Sequence, residues 1–122
     1  IGAGQSLNMS SSLFQKSLLE MKYLTKYFNG KETTVESLAG VGDLYVSAAG
    51  GRNSKMGDYL GKGFTFKSAK KKFMLKDTVE GEQLAREIGP FIFKKINLQK
   101  IPLMINLLKS LLKNKKLNLK KL

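Results

Sequence analysis

Apolar residues recur at helical spacing along most of the chain. Between residues 9 and 28, Leu13, Phe14, Leu18, Met21, Leu24 and Phe28 fall on one stripe, while Gln15, Lys16, Glu20, Lys22 and Lys26 lie mostly elsewhere. The pattern predicts a long core helix, capped by Asn8 or one of Ser10 to Ser12 and stopped by Asn29-Gly30. Thr33-x-x-Glu36 reads as a capping box before Val35, Leu38 and Ala39, opening a short helix. Residues 54–60 read as helical and close at Gly61; Phe66, Ala69, Phe73 and Met74 mark a further helix with a lysine-rich outer face. Thr78-Val79-Glu80-Gly81 turns into a helix near 82–96, carried by Leu84, Ala85, Ile88, Phe91, Ile92 and Ile96. Pro90 lies inside that pattern and is expected to kink or break it, because proline removes a backbone donor. Pro102 suits the first position of a last helix, 102–113. The tail 114–122 holds only Lys, Leu and Asn and is expected to fray. There is no internal repeat and no convincing strand; Tyr45-Val46 is too short. The fold class is therefore all-α: one helical domain over 1–113 and a basic tail over 114–122.

One stretch departs from this plain alternation. Gly40, Gly42, Gly50 and Gly51 bracket a short helix-like segment that Asp43 opens, and Arg52-Asn53 follow directly. Glycine allows positive φ and close approach of a ligand. Aspartate suits a helix N-cap. Arg52 is one of two arginines among 22 basic residues, and its planar fork of donors matches a phosphate or carboxylate as lysine cannot. The stretch reads as an anion site made of two turns and a helix end, or as ordinary turns with a solvated arginine.

Composition narrows the chemistry. With 122 residues the chain is one domain at most. It has no cysteine and no histidine, so no disulfide or thiolate metal site is expected, and the commonest general base is absent. The missing thiols fit a cytoplasmic location. No apolar run is long enough to cross a bilayer. The chain opens Ile1-Gly2-Ala3-Gly4 with no charged n-region, so no signal peptide is read there, and the lack of an initial methionine suggests a piece of a longer protein. The net charge of +13 suggests an anionic partner. Residues 62–76 hold six lysines and no acid, and residues 94–122 hold nine lysines and no acid. Nucleic-acid readers lean on arginine and interleaved aromatics, both sparse here, so no nucleic-acid partner is expected and most lysines read as solvated surface.

Gly42-Asp43-Leu44, Ser47 and Gly50-Gly51-Arg52-Asn53 together resemble the signature of NAD-dependent glycerol-3-phosphate dehydrogenase, Gly/Val-x-Asp-Leu-x-x-Thr followed by Arg-Asn. The resemblance continues in Gly57-Asp58-Tyr59-Leu60-Gly61-Lys62-Gly63, Thr78-Val79-Glu80-Gly81 and Ile101-Pro102-Leu103, in the family's order, over roughly 1–113. The first dozen residues depart from it. Asn8 matches, but Leu7 and Ser10 stand where an acid and a lysine are expected, and the approach from Gly4 is short.

The resemblance implies a two-domain oxidoreductase interconverting glycerol 3-phosphate and dihydroxyacetone phosphate with NAD, NADP not being excluded. This chain resembles its helical C-terminal domain. No Gly-x-Gly-x-x-Gly opens a βαβ unit, so the N-terminal dinucleotide-binding domain is expected to be missing. The family's general acid/base lysine would lie about five residues before Ile1. Asp43 matches the aspartate that orients that lysine, and it could equally be a plain N-cap. Ser47, Gly51, Arg52 and Asn53 match the substrate-binding group, Arg52 clamping the phosphate; Ser47 stands where the family has threonine and could simply pack. Arg52, Thr78 and Glu80 match cofactor contacts, Glu80 also suiting a helix start. No metal is expected, and a homodimer is compatible with the resemblance. The isolated chain is expected to be inactive. Two rivals remain: a lysine-rich membrane- or nucleic-acid-binding module built on 94–122, with Leu103, Met104, Leu107, Leu108, Leu111 and Leu112 on an amphipathic helix, and an inactive gene fragment.

Overall fold

The computed structural model describes residues 6–122, in which seven α-helices and no strand are found. The resemblance at Ile1-Gly2-Ala3-Gly4 lies outside the described residues. The helices are α1 (Leu7–Tyr27), α2 (Glu32–Val35), α3 (Asp43–Ala49), α4 (Arg52–Gly61), α5 (Phe66–Phe73), α6 (Glu80–Lys95) and α7 (Pro102–Leu112). A π-helical turn, Leu38–Gly42, runs straight into α3. The all-α expectation is met.

Two apolar clusters hold the domain. Met56 and Leu60 of α4 meet Phe66 and Ala69 of α5, with Met74 and Val79 beyond. Ala85 and Ile92 of α6 meet Ile105 and Leu108 of α7, with Ile96 and Ile101 between the helices. Leu111 packs against both clusters. Gly89 lets α6 and α7 approach: a Cβ there would lie 2.5 Å from Leu112 Cδ1. Pro90 follows it on the exposed side, and α6 continues through it as one helix. The expected break does not occur; the ring lies on the exposed side, away from the face that packs on α7.

Several local expectations are corrected. Ser6, not Asn8 or Ser10 to Ser12, caps α1 by accepting the Met9 N–H. Thr33 lies inside α2, whose N-cap is Lys31, so the capping box does not form. Glu20 is on the buried face of α1, at 8% exposure. It sits seven residues after Leu13 and four before Leu24, and both its oxygens reach across to α7. They accept the N–H groups of Leu103 (2.6 Å) and Met104 (2.8 Å), donors a helix starting at Pro102 leaves unpaired. Burial pushes this carboxyl above its ordinary value, and the two N–H bonds only partly oppose the shift.

The tail is docked rather than frayed. Asn114 Oδ1 accepts the Lys67 N–H in the first turn of α5 (3.0 Å). Asn106 and Asn118 exchange two hydrogen bonds, side chain to backbone, at 2.5 and 3.0 Å. Leu117 packs against the α4–α5 cluster.

Candidate functional site

The site residues gather where the N-termini of α4 and α6 meet. Gly50 is extended, and Gly51 takes φ 96°, a left-handed conformation that a side chain disfavours. This turn ends α3 and starts α4 at once, so Arg52 and Asn53 occupy the first turn of α4. Ser54 Oγ donates to the Ala48 carbonyl (3.2 Å), tying the new helix back to the old one.

From that turn both side chains reach α6. Arg52 Nη2 donates to Glu80 Oε1 in an ion pair whose partners are half exposed. Asn53 Oδ1 accepts the Gly81 N–H at 3.0 Å. Gly81 makes room for this bond: a Cβ there would lie 3.1 Å from the same oxygen. Asn53 Nδ2 has no partner among the described residues and is free to donate.

The two helix starts differ in charge. The first turn of α6 carries Glu80 and Glu82, which offset its positive end. The first turn of α4 has no acid, no side-chain cap and Arg52. Its free N–H groups lie beside the guanidinium that Glu80 pairs, and such groups at a helix start favour an anion. Below it lies a cavity of about 330 Å³, lined in part by Ser47, Asn53 and Gly81 and by Leu44, Leu103 and Leu107.

Asp43 is exposed at the first position of α3. The expected N-cap is absent: the helical backbone already continues from the π turn through Gly42, so no free N–H groups await a cap. Its carboxylate has no hydrogen bond or ion pair among the described residues. Gly40 makes this geometry possible, since a Cβ there would lie 2.1 Å from the Val35 carbonyl oxygen. Thr78 is exposed in the loop before α6 and makes no hydrogen bond to the others among the described residues. The structure thus joins Arg52 to Glu80, and places Ser47 and Asn53 on one cavity wall. It leaves Asp43 and Thr78 at the surface.

Three supporting residues were not singled out by sequence reasoning. Gly81 stands in the first turn of α6, where a glycine signals a close approach. Ser54 follows the Arg-Asn pair directly. Glu20 could have been found from its spacing to Leu13 and Leu24. Among the described residues no group of His, Cys, Asp and Glu could hold a metal ion.

The class of this helical domain comes from comparison with known proteins. Residues 1–119 match the family model of the NAD-dependent glycerol-3-phosphate dehydrogenase C-terminus. The chain belongs to that family. A glycerol-3-phosphate dehydrogenase [NAD(+)] of Candida tropicalis is 31% identical over 106 residues, covering 84% of this chain and 27% of that protein. Glycerol-3-phosphate dehydrogenase [NAD(P)+] 2 of Lactobacillus delbrueckii subsp. bulgaricus is 39% identical over 72 residues, 57% of this chain and 21% of that protein. A Campylobacter lari glycerol-3-phosphate dehydrogenase [NAD(P)+] is 35% identical over 83 residues, 66% of this chain and 27% of that protein. The chain spans about a quarter of the length of these relatives. No solved structure matches it.

Proposed function

We propose that this chain is the substrate-binding domain of a glycerol-3-phosphate dehydrogenase acting in the cytoplasm, an oxidoreductase that interconverts sn-glycerol 3-phosphate and dihydroxyacetone phosphate. The observation that carries the reading is the Gly51-Arg52-Asn53 turn at the acid-free start of α4. The substrate phosphate sits against the free N–H groups of α4 and takes the Arg52 fork. Glu80 holds Arg52 until then. An exposed ion pair of this kind is worth about 0–1 kcal/mol, so exchanging it for a dianion costs little. Asn53, fixed by Gly81, donates through Nδ2 to a substrate oxygen, and Ser47 offers a hydroxyl on the same wall.

The exposed Asp43 carboxylate orients the general acid/base, a lysine supplied from outside this sequence, which takes the C2 hydroxyl proton during oxidation. A bound NAD or NADP would supply the hydride acceptor for C2. The residues present fit one edge of that cofactor. Arg52 is half exposed and Thr78 is exposed, so both could reach phosphate or ribose oxygens, while the Glu80 carboxylate suits a ribose hydroxyl rather than a phosphate. The dinucleotide fold itself lies outside this sequence in this reading.

The rival helix for a membrane or nucleic acid is not free. Leu108 of α7 is buried against α6, Leu103, Met104, Leu111 and Leu112 are half-buried, and only Leu107 of the six is exposed.

The test mixes this chain with a separately made N-terminal domain of a relative, ending just after its catalytic lysine. Substrate-dependent NADH formation is expected only in the mixture, because the reactants must be held close and in line. Arg52→Lys should raise KM sharply although the charge is kept, and Asp43→Ala should abolish turnover. Turnover by the chain alone, or an unchanged KM in Arg52→Lys, would overturn the assignment.

A further inference from the structure

We infer that the lysine face of α5, together with Leu75, is a docking surface for an anionic membrane. The inference is independent of the dehydrogenase reading and concerns another part of the molecule. Phe66 and Ala69 bury the inner side of α5. The outer positions 67, 70, 71 and 72 are all lysine, and Lys62 and Lys76 flank them without any acid between 62 and 76. Lys62 pairs with Asp58. The ammonium groups of Lys67, Lys71 and Lys76 have no acceptor among the described residues. Lys72 lies over the rings of Phe64 and Phe73, at 5.7 and 5.2 Å from their centroids. The positive charge of this face is therefore largely uncompensated.

An exposed apolar residue follows these cations just beyond the helix. Lys70 Nζ donates to the carbonyls of Met74 (2.8 Å) and Leu75 (3.2 Å). These bonds close the end of α5 and fix the chain beyond it, with Met74 at 1% exposure and Leu75 at 70%. A leucine held outward, with the Lys70 ammonium on its carbonyl and Lys76 next in the chain, suits a lipid headgroup region, where the side chain enters the acyl boundary and the ammonium groups meet anionic heads. A nucleic acid fits the face less well. Tyr59 stacks on Phe73 at 4.3 Å and Phe64 meets both edge-on, so these rings pack on one another rather than offering a platform for bases, and no arginine is present in 62–76. No helix among the described residues is long and apolar enough to cross a membrane, so docking would be peripheral.

The test is co-sedimentation of the 122-residue chain with vesicles of phosphatidylcholine, with and without phosphatidylserine, at low and near-physiological salt. Binding is expected only with phosphatidylserine and should weaken as salt rises. The triple change Lys71→Gln, Lys72→Gln, Lys76→Gln should weaken it on the order of 100-fold. Lys109→Gln, Lys115→Gln, Lys116→Gln removes the same charge elsewhere and should cost far less. Leu75→Ser, which leaves the charge unchanged, should cost about tenfold. Far-UV spectra confirm folding of each variant, and Leu75→Ser carries the test alone if a lysine triple unfolds. Equal losses in the two triples, an unaffected Leu75→Ser, absence of binding to anionic vesicles, or displacement from them by polyuridine RNA would each overturn the inference.

Discussion

Helix α7 buries Ile105, Leu108 and Ser110, whereas α3 buries no side chain and leaves Tyr45 and Val46 each 70% exposed. Both helices are apolar in sequence, but different forces hold them. Helix α7 is held by side-chain packing against α6 and by the Glu20 carboxylate at its start. Helix α3 is held by backbone geometry: the close approach at Gly40, the left-handed turn at Gly51 and the bond from Ser54 to Ala48. Of the site residues, Asp43 and Ser47 lie on this thinly packed segment, whereas Arg52 and Asn53 open α4, which Met56 and Leu60 anchor in the core. Local stability is therefore expected to be lowest at the Asp43 and Ser47 side of the site.

Cavity-forming variants break the comparison most strongly. Leu60→Ala, at 1% exposure, should cost about 2–5 kcal/mol in urea unfolding. Val46→Ala, at 70% exposure, should stay within about 0.5 kcal/mol. Equal losses at the two positions would mean that α3 is packed in solution.

Glu20 comes next. Glu20→Ala leaves two N–H groups at the start of α7 without an acceptor and should cost about 1–3 kcal/mol. The acid also sets a pH slope. Its folded pKa lies above its unfolded value, so the fold binds the proton more tightly. The stability this group contributes is full below the unfolded pKa, near 4.5, and is lost as pH rises through the folded value. In urea unfolding across that range, stability should fall more steeply with rising pH in wild type than in Glu20→Gln, the difference being the contribution of Glu20.

A smaller effect is expected at Ser110. Its hydroxyl is fully buried and has no hydrogen-bond partner among the described residues. Ser110→Ala should leave stability unchanged or raise it by up to about 1 kcal/mol, measured by thermal unfolding. A clear loss would reveal a partner for that hydroxyl.

The sequence was most readable where side chains do the holding. Periodicity placed α1 and α4 to α7 within a few residues, and Pro102 marked the start of α7 correctly. It overstated the apolar stripe of α6, where Leu84 and Phe91 remain exposed at 54% and 42%. It was least readable where backbone geometry or distant partners decide. The capping roles read into Thr33 and Asp43 fail because neither stands at a free helix start. The fraying read into residues 114–122 fails because Lys67 and Asn106, distant in the chain, bond Asn114 and Asn118. Within the site, the Gly51-Arg52-Asn53 turn was legible from residue type. Its junction with α6 was not, since nothing local ties Asn53 to Gly81.

The central claim is that the start of α4 receives the substrate phosphate. Amide shifts of the isotopically labelled chain, followed by NMR during titration with glycerol 3-phosphate, test it most directly. Saturable changes should centre on Gly51, Arg52, Asn53, Ser54 and Gly81, and Arg52→Lys should shift saturation to higher ligand concentration. Changes centred instead on the lysines of α5, or none that saturate, would contradict it.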